Sequence, residues 1–216
     1  MNRGRWWWLS GCLITLLGGL GSASAASATH NPEHWSLELR GGVFGPSGDV
    51  MKSFFGTCCS PTIALSGGPL IDSKLGIEVG LGMVSRQGRA RGEITGRESQ
   101  DGFSLLLLPV TVEVAYRIDY HADQPLAPYV KAGLDGVYFR ESSAGQGRKG
   151  FKMGLHGGGG LMILLNDLAE GRLDAQYGFN DIFFVIDGRY RWANSFGKAG
   201  FNLSGWEATG GVHLQF

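Results

Sequence analysis

Eight stretches of this chain alternate apolar and polar residues with a period of two. That period belongs to strands with two unlike faces, and an amphipathic helix does not produce it. The last stretch, residues 201 to 216, shows it most plainly. Trp206, Ala208, Gly210, Val212, Leu214 and Phe216 form one set, and Glu207, Thr209, Gly211, His213 and Gln215 form the other. The sequence stops on an aromatic residue, whereas a soluble domain commonly frays into polar residues. The expectation is that Phe216 belongs to the sheet. The question is then what its oily face meets.

The other seven stretches repeat the pattern. Residues 34 to 44 set Trp35, Leu37, Leu39 and Val43 against Ser36, Glu38 and Arg40. A weaker run covers 62 to 71. Residues 74 to 85 set Leu75, Ile77, Val79, Leu81 and Met83 against Glu78 and glycines. Residues 103 to 117 oppose Leu106, Leu108, Val110, Val112, Val114 and Tyr116 to Thr111, Glu113 and Arg117. Residues 128 to 140 oppose Val130, Ala132, Leu134 and Tyr138 to Tyr129, Lys131 and Asp135. Residues 151 to 164 oppose Phe151, Met153, Leu155, Leu161 and Ile163 to Lys152, His156 and glycines. Residues 172 to 186 begin with Leu173, Ala175, Tyr177 and Phe179 against Asp174 and Gln176. They then slip near Asn180-Asp181, which reads as a bulge.

The first residues predict the compartment. Arg3 and Arg5 precede an apolar run, and small residues from Ser22 to Ala28 follow. This is the layout of a secretory signal, cut after Ala25 or, alternatively, Ala28. The run is too short and too rich in glycine to be read as a spanning anchor. The predicted division is a signal over 1–25, a short leader over 26–33 and one domain over 34–216. No later stretch is long and apolar enough for a spanning helix. Glycine is abundant, 37 of 216 residues, without a collagen period, and the alternation argues against disorder. Net charge is zero, so nothing global points to nucleic acid.

The connections also alternate. Those at 45–61, 86–102, 141–150 and 187–200 are long, and those near 72–73, 118–127 and 165–171 are shorter. An even number of strands, short turns on one side, long loops on the other and outward apolar positions predict an outer-membrane barrel. In lipid every backbone N–H and C=O needs an internal partner, so the first and last strands must pair. The oily face then meets lipid. An all-β, eight-stranded, antiparallel, up-and-down transmembrane barrel with short periplasmic turns is therefore the expected fold.

In its signal, its eight alternating strands and its ending GGVHLQF, the sequence resembles the small outer-membrane barrels of the OmpA, OmpX and OmpW kind. The resemblance covers roughly residues 34 to 216 and rests on pattern. It implies a place in the outer membrane of a Gram-negative bacterium after export to the periplasm. It also implies insertion by the barrel-assembly machinery, which would read Trp206, Val212, Leu214 and Phe216. The competing reading is a soluble periplasmic β-sandwich or lipocalin-like barrel, with the apolar set turned inward.

The predicted interior holds Glu38, Glu78, Glu113, Asp135, Asp174 and Glu207. It also holds Arg40, Arg117, Lys131, Lys152, His156 and His213. An eight-stranded barrel has room only for side chains, and isolated buried charges are costly, so these groups should pair into a plug. A narrow, gated conduit for small solutes or hydrophobes is the alternative. A lipid A-modifying enzyme would need Ser beside His and an orienting acid. Neither His156 nor His213 has a Ser within two residues on its own strand face, so no catalytic residue is assigned. The run Gly157 to Gly160 lacks the Gly-Lys-Ser/Thr ending of a phosphate loop. No cofactor or metal is predicted. Cys58 and Cys59 remain after export, in a compartment that favours disulfides, but adjacent cysteines can bond only in a strained ring. Mixed disulfides or metal capture stand as alternatives, though two thiolates are too few for structural zinc.

The predicted outer loops carry Arg86, Arg89, Arg91, Arg97, Arg140, Arg148, Lys149, Arg189, Arg191 and Lys198, in excess over their acids. Such a rim could hold lipopolysaccharide phosphates by charge-assisted hydrogen bonds. The sequence thus predicts a monomeric barrel with a structural or surface-interaction role, whose partners are membrane lipid and lipopolysaccharide.

Overall fold

The computed structural model describes residues 35–47, 59–72, 74–91, 98–118, 124–143, 146–165, 181–194 and 202–216. They form eight strands: β1 (Trp35–Pro46), β2 (Ser60–Pro69), β3 (Leu75–Arg91), β4 (Glu98–Arg117), β5 (Leu126–Ser143), β6 (Gln146–Leu164), β7 (Asp181–Trp192) and β8 (Gly205–Gln215). Each pairs antiparallel with the next, and β1 pairs with β8, giving a closed barrel in simple sequence order. The seam places Leu37 opposite Leu214 and Leu39 opposite Val212. Beyond the ladder, Trp35 and Phe216 exchange two backbone hydrogen bonds of 3.0 Å each. Closure leaves no edge along the paired length of the wall, as a lipid solvent demands.

The alternation sorts the faces. Leu81 is 60% exposed on the outer wall, while Glu38, on the inner face, is fully buried. Leu39, Val79, Val112, Leu134 and Ile186 are exposed in the same way. An apolar exterior and a charged interior overturn the sandwich and lipocalin-like alternatives, which need the opposite arrangement. Trp35, Tyr116 and Phe216 lie near the end that carries the termini, and Tyr138, Trp192 and Trp206 lie toward the other. These are the two levels at which interfacial aromatics are expected.

Two features of the sequence reading need correction. The seventh strand is 181–192; residues 172 to 180 lie outside the described residues. The segment 187–200, expected as a loop, begins inside β7. The segments 86–102 and 141–150 are also largely strand. The β3/β4 pairing runs to Arg91 and Glu98, and the β5/β6 pairing runs to Ser143 and Gln146. Four middle strands therefore project past β1, β2, β7 and β8 at the end opposite the termini.

The interior is built in three tiers. Toward the end opposite the termini, Phe44, Val84, Leu105, Leu107, Val137, Ala193 and Leu203 form an apolar cluster, with Phe139 against it. Toward the terminal end, Ala127, Tyr129, Met162, Phe183 and Val185 form another, with Leu164 packed on it. Charged and hydroxylic side chains fill the space between.

Candidate functional site: the buried charged belt

Strand geometry assembles the belt. Inward positions recur every second residue, so a charge pair spaced i, i+2 stacks along one strand. Adjacent strands then bring further charges alongside. Every strand contributes: Glu38 and Arg40 from β1, Thr62 and Ser66 from β2, Glu78 from β3, Glu113 from β4, and Lys131 and Asp135 from β5. His156 comes from β6, Asp187, Arg189 and Arg191 from β7, and Glu207, Thr209 and His213 from β8. All are buried. Glycine makes room beside them. A Cβ at Gly158 would stand 2.7 Å from the Cβ of Arg189, and one at Gly133 would stand 2.8 Å from that of Glu113.

Glu38 is the centre of the network. Its carboxylate accepts from Lys131 Nζ at 3.1 and 3.2 Å, lies 3.0 Å from Arg40 Nε and is 2.9 Å from His213 Nδ1. Lys131 also donates to Glu78 at 3.0 Å, where Ser66 Oγ donates at the same distance. Arg40 Nη1 donates to Asp187 at 2.8 Å, and Thr209 Oγ1 donates to the other oxygen of that carboxylate. His156 places Nε2 2.8 Å from Glu113 and Nδ1 3.1 Å from Asp135. Arg191 reaches Asp135 at 3.3 Å and Glu207 at 3.4 Å, and Thr62 Oγ1 donates to Glu207 at 2.9 Å. The contacts of Asp135 with Arg191 Nε and His156 Nδ1 lie within ion-pair distance but lack hydrogen-bond alignment.

Six carboxylates here face four Arg or Lys heads and two histidines. Signs alternate through the belt. It presents no ring of one sign of the kind that selects an ion. The side chains of Glu38, Glu78 and His213 lie close enough to share a metal ion. Lys131 Nζ already binds both carboxylates, so an internal ammonium supplies the cation there. Among the described residues, the polar partners of His156 and His213 are carboxylates and Gln215, not a serine.

The structure places the sequence-predicted residues as follows. Glu38, Arg40, Glu78, Glu113, Lys131, Asp135, His156, Glu207 and His213 meet in the belt. Arg117 lies nearer the terminal end, donating to Gln215 at 3.0 Å with its guanidinium 5.3 Å from the Phe183 ring centre. Lys152 lies half-buried on the inner face of β6, past His156. Asp174 lies outside the described residues. Of the expected basic rim, Arg189 and Arg191 are instead belt members, buried on β7. Arg86 points inward on β3 and reaches Ser60 Oγ at 3.3 Å. Arg89 and Arg91 fall at the end of β3. Arg140, Arg148 and Lys149 are exposed at the projecting end of the β5/β6 hairpin. Arg97, Lys198 and Cys58 lie outside the described residues, and Cys59 is half-buried just before β2. Trp206, Val212, Leu214 and Phe216 lie on the outer face of the closing strand and just past its end.

The sequence reading missed Asp187, Arg189 and Arg191. A signal for them exists, since Asp-x-Arg-x-Arg over 187–191 is a period-two charged set with Gly188 and Tyr190 between its members.

A wall that is oily outside, closed on itself and filled with paired charges inside defines a small transmembrane β-barrel. Residues 13–204 match the model of the outer membrane protein beta-barrel domain family. The chain belongs to that family, and its place is the outer membrane. Among solved structures, Neisserial surface protein A is similar at a TM-score of 0.57 and 15% identity, covering 84% of this chain and 97% of that one. A major outer membrane protein from Thermus thermophilus is similar at 0.52 and 12% identity, covering 86% and 100%. The Outer Membrane Protein W of E. coli gives 0.46 and 15%, covering 87% and 100%. No curated protein matches the chain by sequence.

Proposed function

We propose that this barrel acts through its surface and not through a pore, as a structural element of the outer membrane with phosphorylated lipid as partner. One observation carries the reading: the charges that fill the lumen pair with one another across it, and an apolar cluster packs over them toward the end opposite the termini. A conduit for water or ions needs a continuous wet path, and a paired belt under one oily tier interrupts it. The carboxylate surroundings of His156 and His213 support a role in the plug over nucleophilic catalysis. Insertion by the barrel-assembly machinery, reading the β8 face that carries Trp206, Val212, Leu214 and Phe216, is part of the same proposal.

Planar-bilayer recording on the refolded barrel tests it. The expected result is a silent membrane, with an unboiled gel band that runs faster than the boiled one to prove folding. Discrete conductance steps from the same folded preparation would replace this reading with that of a narrow conduit.

A further inference from the structure

The outer wall of the projecting β5/β6 hairpin carries a cross-strand pair of like charges. Arg140 on β5 stands directly opposite Lys149 on β6, and both are exposed. The next outward pair toward mid-barrel is Tyr138 opposite Phe151, and below it lie Leu134 and Leu155. On the β4 side, the neighbour of Arg140 is Leu106. No acidic side chain points outward beside this pair among the described residues. Like charges directly opposite in a ladder repel. The arrangement is favourable when an anion sits between them.

Depth identifies the anion. From Leu126 to Tyr138, the outward residues of β5 are Leu126, Pro128, Val130, Ala132, Leu134, Gly136 and Tyr138. At about 3.3 Å per residue and a tilt of about 40°, this stretch rises roughly 30 Å, enough for the roughly 25 Å apolar band of such barrels. Arg140 and Lys149 lie one step beyond the aromatic pair, at headgroup level. Two fixed positive charges match a phosphomonoester, which carries about −1.5 to −2 at neutral pH, better than a phosphodiester, which carries about −1.

We infer that Arg140 and Lys149 form a clamp on the lipid-facing wall for the phosphomonoester of a membrane glycolipid headgroup. Arg offers a two-pronged donor, and Lys offers a point charge beside it. Tyr138 and Phe151 would lie against the first methylenes of the acyl chains. The clamp rests on the surface-acting reading above and gives it a ligand and a place.

The test is reconstitution of the full barrel in phosphatidylcholine vesicles doped with lipid A, followed by mild detergent extraction and measurement of the lipid A retained. Parallel vesicles carry dephosphorylated lipid A, or phosphatidylglycerol at equal total charge. Wild type is expected to retain lipid A, and the doubly substituted Arg140→Gln, Lys149→Gln protein about tenfold less. A charge-keeping Arg140→Lys, Lys149→Arg protein should retain at least part of it, and Arg148→Gln, on the inner face, should match wild type. Each protein is first checked for the fast unboiled band. Equal retention by wild type and the double glutamine variant would overturn the clamp, as would equal retention of dephosphorylated lipid A. Equal enrichment of phosphatidylglycerol would overturn the monoester assignment. Conductance is read separately. A silent barrel without lipid A preference removes the clamp alone, and a conducting barrel that retains lipid A removes the plug alone.

Discussion

The belt and the two apolar tiers fill the same barrel by different rules. In the apolar tiers, Leu107, Phe44 and Val137 need only volume and contact, and a lost methyl group is felt in proportion to the space it leaves. In the belt, Arg40 needs particular partners: Glu38, Asp187 and Glu113 on three strands. Removing it takes one cation from three buried carboxylates at once, leaving an excess of buried negative charge. The belt should therefore fail by single partners, and the tiers by degree.

The largest expected effect follows from that difference. Arg40→Met keeps much of the side-chain volume and removes the charge, and is expected to destabilise the barrel by about 3–5 kcal/mol. Urea unfolding in lipid vesicles, followed by tryptophan fluorescence, measures it. A loss below that of an ordinary core truncation would erase the distinction between the regions. Leu107→Ala is expected to lose about 2–4 kcal/mol in the same assay, and Leu107→Met less than about 1.5. If the methionine variant lost as much as the alanine variant, the tier would be as particular as the belt.

The smallest effect lies outside both regions. Asp72, in the exposed turn between β2 and β3, accepts from the N–H groups of Lys74 and Leu75 at 2.7 Å each. The Lys74 bond first, then the Leu75 bond, hold its carboxyl below the ordinary 3.8. Because the folded value is the lower one, this contribution is present above the ordinary value and lost as pH falls through the folded value. Asp72→Ala is expected to speed amide exchange at Lys74 and Leu75 while leaving the unfolding midpoint unchanged. A shift of the midpoint comparable to that of Leu107→Met would mean that this turn, too, holds the barrel together.

These differences also explain what can be read in the sequence. Alternation is visible where one face meets oil and the other meets charge, as in Val112-Glu113-Val114 or Val130-Lys131-Ala132. It vanishes in Ile182-Phe183-Phe184-Val185-Ile186, because there the inner face enters the apolar tier and both sides of the strand are oily. That is why periodicity alone ends the seventh strand at Ile186 and leaves Asp187, Arg189 and Arg191 with the loop. The projecting tips fail for the opposite reason. Past the apolar band, Ser85 to Arg91 and Gln146 to Gly150 have no oily face, so paired strand reads as polar loop. Side-chain partners such as Lys131 with Glu38 and Glu78 are not legible, since they depend on the curvature of the closed wall.

The seam between β1 and β8 bears on the order of assembly. Glu38 finds His213 across 175 positions of chain, and Arg40 finds Asp187 across 147. Contacts so distant in sequence form slowly, because the loop-closure entropy comes before any reward. Until the sheet curls, Glu38 has neither Lys131 nor His213 beside it and must stay hydrated. Curling, drying of the interior and pairing of the belt are thus one event, and a half-curled wall would carry wet charge into oil. The seam ties closure of the wall to the matching of its charges.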